Sequence, residues 1–461
     1  MIKKCLVIAP HPDDEINLAG GVFDQLKAAG IYIVVAITTN GDNPPFNADV
    51  RIKEAINAKK VIGYDELVIL GYGDDYDGKH IYDAGTDEVV VSRAGHSSTY
   101  NAGGIETYRF KKNQIQSKYT RDNYKLDLRE LILDVYADCI ICVDSDSHCD
   151  HRALSLLFDE VMGEIIKGTN YRPFILKKFA YLGVFFGPQD YFDIVLQETR
   201  PARNGVEDKT MAYPYLWEDR LSIRNSNHNT PALFWKSPVY NALKAHKSQN
   251  AKCYFASICN DDITYWYRPV NNLMYTAQID VSSGCSTYLN DFKIVDTDDV
   301  RSDTFVIVPT QEKAWKPSSV ETNATIDIKF AEVHIIRHMV IYKPYTFDTY
   351  QVEVEFDGKV VGSYLIGKEP ICRILFNSDR KVSNCRIIFP IVSDSVIINE
   401  LEIYESIPCF PWDQLPFNIH DRTHNHKRNS IVVYISNLIY QIVYSIGMRL
   451  NIDYLRNKLS I

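Results

Sequence analysis

The chain has 461 residues, a length that predicts two or three domains of about 100–200 residues each. Apolar residues make up 46% of it, enough for hydrophobic cores, which excludes a disordered protein. The net charge of −9 provides no basic surface, so no nucleic-acid partner is expected. The ten cysteines are scattered, mostly in apolar runs, and we interpret them as reduced thiols of a cytoplasmic protein.

Strand-like and helix-like segments alternate through the first part of the chain. Apolar runs typical of buried strands cover four ranges: Cys5–Ala9, Ile31–Ile37, Leu67–Leu70 and Cys139–Val143. Helical periodicity falls between them, as in Tyr124–Val135. This order predicts an α/β fold, a Rossmann-like and mostly parallel sheet with helices on both faces. A long polar segment, residues 71–119, interrupts the alternation and is expected to form part of a substrate cleft.

Polar residues follow the first predicted strand directly: His11, Asp13, Asp14 and Glu15. In open α/β sheets, ligands bind at the edge where strands give way to helices. His and Asp suit a divalent metal such as zinc, and a neighbouring carboxylate can act as base for a water on the metal. A surface turn is the alternative, because Pro and Asp are favoured in turns.

A second polar cluster, His-Cys-Asp-His at residues 148–151, follows the strand Cys139–Val143. Two strand ends of one parallel sheet present these residues at the same edge, which favours a metal site over a turn. Together the two motifs resemble those of the PIG-L/LmbE-like family of zinc-dependent N-deacetylases, which act on N-acetylglucosamine-containing substrates. The resemblance extends over residues 1–275 and includes weaker matches at residues 39–42, Arg51, Glu54 and residues 245–249.

The resemblance implies that His11, Asp14 and His151 bind Zn²⁺ or another divalent metal. Three protein ligands leave a fourth position open for water, as a catalytic zinc requires. It also implies that Asp13 takes the proton from that water and passes it to the leaving amine. Neighbouring side chains diverge, so Asp13 does not easily share the metal face of Asp14.

Supporting roles fall to residues near these motifs. His148 is expected to donate a hydrogen bond to the oxyanion or, as imidazolium, to add positive charge. Asp150 is expected to hold an imidazole in the required tautomer. Arg51 matches a substrate-binding position of the family, with a helix-surface pair with Glu54 as an equal alternative. Glu15 is interpreted as a helix-start residue that interacts with the helix dipole.

The helical pattern stops near residue 278, and short alternating strands take over. Seven runs predict an antiparallel β-sandwich: Thr325–Phe330, Ile335–Tyr342, Tyr350–Phe356, Lys359–Tyr364, Cys372–Phe376, Cys385–Phe389 and Val396–Tyr404. Asp357-Gly358 is a hairpin signal between two of them. The pattern, with residues 315–319 and the last strand, is similar to that of discoidin-like carbohydrate-binding modules.

Residues 431–448 carry no charge, are mostly apolar and have basic residues on both sides. A polar stripe at helical spacing predicts an amphipathic helix. It lies either on the inner face of an anionic membrane, or on the protein's own surface or a second subunit; a membrane span is the third alternative. The predicted organisation is a deacetylase domain at residues 1–277, a sandwich at 278–406, and a linker with helix at 407–461.

These expectations combine into one predicted function. The chain is expected to be a metal-dependent N-deacetylase that removes the N-acetyl group from an N-acetylglucosamine-type sugar. The added sandwich favours a glycan or lipid-linked saccharide as substrate. One alternative is an amidase for a non-sugar acyl amide. The other is a glycan-binding or scaffold protein with a vestigial deacetylase domain, against which the intact ligand set and Asp13 argue.

Overall fold

The computed structural model describes most of the first 420 residues. The described residues are 2–180, 185–186, 199–201, 215–226, 237–251, 262–301, 310–319, 322–346, 348–420, 435, 438 and 442. Apart from those last three positions, the predicted helix at 431–448 lies outside them. Among the described residues, no helix combines the length and apolar character needed to cross a membrane.

The strands of the first part form one large sheet and one small one. Their bounds are β1 (Lys4–Ala9), β2 (Tyr32–Thr39), β3 (Glu66–Tyr72), β4 (Cys139–Val143), β5 (Phe174–Lys178), β6 (Phe185–Phe186), β7 (Arg200–Pro201), β8 (Leu221–Arg224) and β9 (Asp262–Arg268). Seven of them form a sheet of order β3-β2-β1-β4-β5-β9-β8, while β6 pairs with β7. Strands β1 to β5 are parallel, and β9 and β8 add an antiparallel edge.

This sheet confirms the predicted fold class. The four predicted strands are β1 to β4, with ends shifted by at most two residues. The residues of β1, β2 and β4 are nearly all buried, as in a sheet covered on both faces. Strands β5, β8 and β9 extend the sheet beyond the prediction.

Helices lie between and after these strands. Their bounds are α1 (Asp14–Ala19), α2 (Phe23–Ala28), α3 (Ala48–Ile62), α4 (Tyr108–Asn113), α5 (Arg121–Val135), α6 (Cys149–Gly168) and α7 (Pro238–Ala245). Helix α5 contains the predicted helical segment Tyr124–Val135 and buries Tyr124, Leu128, Leu131 and Ile132. Helix α6 begins within the second polar cluster, so its first turn carries that cluster to the edge of the sheet.

The second part is an antiparallel β-sandwich, as predicted. Its strands are β10 (Gln278–Val281), β11 (Ala324–Ile335), β12 (His338–Tyr342), β13 (Tyr350–Phe356), β14 (Lys359–Ile366), β15 (Ile371–Leu375), β16 (Lys381–Phe389) and β17 (Glu400–Tyr404). They form a five-stranded sheet, β10-β11-β16-β13-β14, and a three-stranded sheet, β15-β12-β17. Asp357 and Gly358 both have positive φ, the conformation of a tight hairpin turn.

Two main hydrophobic cores correspond to these parts. One covers residues between Ile2 and Phe417, most of them from the first part, and the other covers residues between Met274 and Ile403. Phe410, Leu415 and Phe417, in the predicted linker, are buried in the first core. The boundaries at residues 277 and 406 stay predictions.

Candidate functional site

The first polar motif forms a strained turn between β1 and α1. Asp13, directly before α1, has φ 127°, a value that residues other than glycine rarely adopt. Its backbone N–H donates to Glu15 Oε2 at 2.8 Å. Glu15 is fully buried, and its other oxygen accepts from His246 Nε2 at 3.0 Å. Glu15 is therefore more than a helix-start residue, because it connects this turn to a residue far along the chain.

The second motif lies at the same edge because β1 and β4 are parallel neighbours. His148 is the N-cap of α6, and its Nδ1 accepts from the Asp150 N–H at 3.2 Å. His151 follows in the first turn and is fully buried. The two predicted clusters thus meet at the carboxyl end of the central strands.

The three predicted metal ligands have their ligand atoms close together. Asp14 Oδ2 is 3.0 Å from His11 Nδ1 and 3.1 Å from His151 Nε2, and the two nitrogens are 3.3 Å apart. A tetrahedral ion with bonds of about 2.0–2.1 Å holds its ligand atoms about 3.3–3.4 Å apart. The three side chains therefore fit a divalent cation. Their ligand role stays a prediction.

Carboxylates lie behind both imidazoles. His11 Nε2 is 3.3 Å from Asp74 Oδ1 and 3.3 Å from Asp150 Oδ2. His151 Nδ1 is 2.9 Å from Asp146 Oδ2. Metal-binding histidines usually donate their second N–H to a carboxylate in this way. The contact of Asp150 with His11 agrees with its predicted role, whereas Asp74 and Asp146 were not predicted.

These buried carboxylates dominate the electrostatics. Burial lowers the pKa of His151, but Asp146 and Asp14 outweigh it and raise the pKa to about 9. Burial raises the pKa of Asp14, but His151 and His11 outweigh it and hold that pKa well below its usual range. Other sets of possible metal ligands also occur among the described residues. One is His11, His148 and His151, whose ligand atoms lie within 4.8 Å of one another. The mixed nitrogen and oxygen set suits zinc and other divalent metals alike.

Asp13 lies beside this cluster, next to the buried Arg51. Arg51 is buried; its Nη2 donates to the Pro12 carbonyl at 2.9 Å and its Nη1 to Asp74 Oδ2 at 3.1 Å. Nη2 also lies 3.6 Å from Asp13 Oδ1. Burial raises the pKa of Asp13 to about 7, although Arg51 opposes the shift. The alternative of a helix-surface pair is wrong: Arg51 lies inside the site, and Glu54 instead accepts two hydrogen bonds from Ser248.

The surroundings of His148 favour its neutral form. Burial, with His11 and His151, lowers its pKa to about 4. Because its Nδ1 accepts from a backbone N–H, the ring proton of the neutral form is on Nε2. Its ring lies 4.6 Å from that of His11. The lowered pKa favours the neutral hydrogen-bond donor over the imidazolium, and the role of His148 stays a prediction.

The polar segment at residues 71–119 supplies residues that sequence reasoning missed. Asp74 and Asp75 lie one residue beyond the end of β3, and the Asp75 N–H donates to Asp150 Oδ2 at 3.2 Å. His80, in the same segment, is buried, and its Nε2 lies 3.0 Å from Asp150 Oδ1. The signal for the two aspartates was present, since they are a third polar group at a strand end. His80 had no comparable local signal, and His246 lies in the weak family match at residues 245–249, for which no role was predicted.

A match to a known protein family covers both polar motifs. Residues 6–162 match the PIG-L family, described as GlcNAc-PI de-N-acetylase. The predicted PIG-L resemblance is confirmed over this segment, which contains both motifs and Arg51. No curated protein sequence matches the chain.

Several solved structures resemble parts of the chain. N,N'-diacetylchitobiose deacetylase from Pyrococcus horikoshii is 20% identical, with 38% of this chain and 60% of that chain covered and a TM-score of 0.26. The lectin binding domain of Lectinolysin is 12% identical (30% and 96% covered, TM-score 0.24). The family 32 carbohydrate-binding module of Streptococcus pneumoniae EndoD is 15% identical (30% and 100% covered, TM-score 0.23). At such TM-scores these likenesses carry no argument about function.

Proposed function

We propose that this chain is a metal-dependent hydrolase that removes the acetyl group from an N-acetylglucosamine-type sugar. The observation that carries the proposal is the convergence of His11, Asp14 and His151 beside a separate carboxylate, Asp13, within the PIG-L segment. A glycan or lipid-linked sugar as substrate, membrane contact through residues 431–448 and an oligomer are finer predictions.

His11, Asp14 and His151 would hold the metal. When bound, a divalent metal supplies a Lewis acid that polarises the amide carbonyl and makes water more acidic. Asp74 and Asp146 fix the orientation of the two imidazoles from behind. The chain therefore positions all three ligands before any substrate binds, which is the preorganisation that catalysis needs.

Asp13 and His148 supply the proton chemistry. With a pKa near 7, Asp13 can accept a proton from the attacking water and return it to the departing nitrogen at neutral pH. His148 donates from Nε2 to the oxygen on which negative charge develops. Arg51 lies beside Asp13 and Asp74. It holds Asp13 in position and is proposed to contact the sugar. The amide bond breaks, and acetate and the free amine leave.

Metal analysis of the purified chain, together with acetate release from a panel of acylated amines, tests the proposal. N-acetylglucosamine and its dimer should release acetate, and non-sugar acyl amides should not. Asp13→Asn should abolish release while keeping the metal. Asp24→Asn, an exposed aspartate in the first turn of α2, is the matched control and should leave release unchanged.

The outcomes separate the alternatives. Release only from non-sugar amides would identify an amidase for other substrates. A metal-loaded chain that releases acetate from none of the panel would refute the deacetylase proposal and would favour the glycan-binding or scaffold alternative.

A further inference from the structure

A cavity of about 420 Å³ lies between the two parts of the molecule, and none of its lining residues belongs to the candidate metal centre. One wall is the outer face of the three-stranded sheet, where alternate residues of β12, β15 and β17 face away from the sandwich core. The other wall is formed by β8, β9 and their flanking residues. Its volume falls within the range of about 300–1,000 Å³ that ligand pockets span.

Aromatic side chains line much of this cavity: Tyr215, Trp266, Tyr267, Tyr342, Tyr404 and Phe410. They come from both parts of the molecule. Rings arranged around a cavity provide flat, weakly polar surfaces on which the C–H faces of a sugar ring can stack. A ligand held here would contact both parts at once.

Buried polar atoms without a hydrogen-bond partner lie in the same walls. Among the described residues, His338 Nδ1 and Arg268 Nε and Nη1 have no hydrogen-bond partner. The Tyr404 hydroxyl and Glu402 interact with each other, but without the geometry of a full hydrogen bond. Each of these four residues is at most 3% exposed. The set contains both donors and acceptors, and an unmade hydrogen bond at a buried group is costly. A ligand rich in hydroxyl groups can serve both kinds, since each hydroxyl donates and accepts.

The charges of the cavity are internally balanced. Arg373, at one rim, pairs with Asp219 across the gap between the two parts. Arg268 Nη2 lies 3.9 Å from Glu402 Oε1. With two cationic and two anionic side chains in these pairs, the cavity favours neither an anion nor a cation. The expected ligand is neutral.

We infer that this interdomain cavity is a second binding site that takes a neutral pyranose sugar, stacked on the aromatic rings and hydrogen-bonded to Tyr404 and His338. The site goes beyond the proposed deacetylase activity and does not depend on it.

Calorimetric titration of the full chain with four probes tests this inference. The probes are N-acetylglucosamine, galactose, glucuronate as a charged pyranose, and mannitol as a polyol without a ring. The neutral pyranoses should bind saturably and more tightly than glucuronate or mannitol. Tyr404→Phe and His338→Leu each remove one hydrogen-bonding group and should weaken that binding about 2- to 10-fold.

Tyr350→Phe is the matched control. Tyr350 lies in the sandwich, is buried, and its hydroxyl also has no partner among the described residues, but it does not line the cavity. It should leave sugar binding unchanged, and thermal unfolding will show that each variant is folded. Acetate release from N-acetylglucosamine should be the same in all three variants as in the unaltered chain. The binding test itself does not depend on that activity.

The inference is overturned if no neutral pyranose binds the full chain, or if mannitol binds equally well. It is also overturned if the Tyr404 and His338 variants bind the sugar as tightly as the unaltered chain, because the sugar then lies elsewhere. Binding that Tyr350→Phe weakens to the same extent would show a general effect on the sandwich and not a site.

Discussion

Glu15→Gln is the substitution that best tests how the strained turn is held. One carboxylate oxygen of Glu15 accepts from the Asp13 N–H at 2.8 Å, and the other from His246 Nε2 at 3.0 Å. A glutamine has only one acceptor oxygen, so its amide group would face one of these two donors. We expect the substitution to weaken the link between His246 and Asp13 without creating a cavity.

The expected effects of Glu15→Gln on stability and on kcat follow from two free-energy costs. A hydrogen bond to a charged group contributes about 1.5–3 kcal/mol, so the variant should lose about 2 kcal/mol of unfolding free energy. The φ of 127° at Asp13 costs about 1–3 kcal/mol, which favours relaxation of the turn once Glu15 no longer holds it. A displacement of about 1 Å in a catalytic group lowers the rate on the order of 10²-fold. We therefore expect kcat for acetate release to fall about 10- to 100-fold.

Glu54→Gln is the matched control. Glu54 is also buried and accepts two hydrogen bonds, from the backbone and side chain of Ser248, two residues beyond His246. Urea unfolding should show a loss of stability in both variants, and kinetics at saturating substrate should show a fall in kcat only for Glu15→Gln. Equal kcat values in the two variants would refute the argument that Glu15 positions Asp13.

Three further predictions concern the surroundings of the site and the contact between the two parts. Asp146→Asn should weaken metal binding about 10- to 100-fold in a metal titration, because the amide holds His151 less firmly. Arg51→Lys should lower kcat/KM about 10- to 100-fold, since an ammonium cannot replace the buried guanidinium fork. Burial, with Asp291 next, raises the pKa of Glu400 well above its ordinary value. A raised carboxyl pKa gives stability that is complete below the ordinary value of about 4.3 and is lost as pH rises through the folded value, so Glu400→Gln should reduce the loss of unfolding free energy between pH 5 and pH 8.

Each of these has a control and a contrary result. Asp144→Asn alters a buried aspartate of the same loop that bonds to Ser155, and it should leave metal affinity unchanged; equal losses in both aspartate variants would contradict the first prediction. Full kcat/KM in Arg51→Lys would contradict the second. Glu332→Gln removes an exposed carboxylate and should keep the pH dependence of the unaltered chain. If Glu400→Gln also keeps the pH dependence of the unfolding free energy, Glu400 is not the source of that dependence.

The parts of the site that could be predicted from sequence are those with a local signal. His11 and Asp14 directly follow β1, and His151 directly follows the start of α6 after β4. A buried parallel strand is recognisable as a short apolar run, and such strands share one carboxyl edge. The sandwich was predictable for a similar reason, because alternation along a strand directly encodes its two faces.

The residues that were missed depend on contacts between distant segments. Asp74 follows β3, but the predicted strand ended at Leu70, so this aspartate fell inside what was interpreted as a long polar loop. His80 is buried only because that loop folds back against Asp150. No periodicity records such a contact. Strands β8 and β9 were missed because they are an antiparallel extension that the βα alternation does not require.

The separate directions of the adjacent aspartates show how far the site extends along the chain. Asp14 reaches the histidines while Asp13 faces Arg51, and the backbone between them needs the positive φ of Asp13. That conformation is held by Glu15, and Glu15 in turn by His246, which lies 231 residues away. The match to the PIG-L family ends at residue 162. The matched segment therefore contains the proposed catalytic groups but not the residue that fixes one of them, so the site is complete only when the chain folds at least as far as α7 and His246.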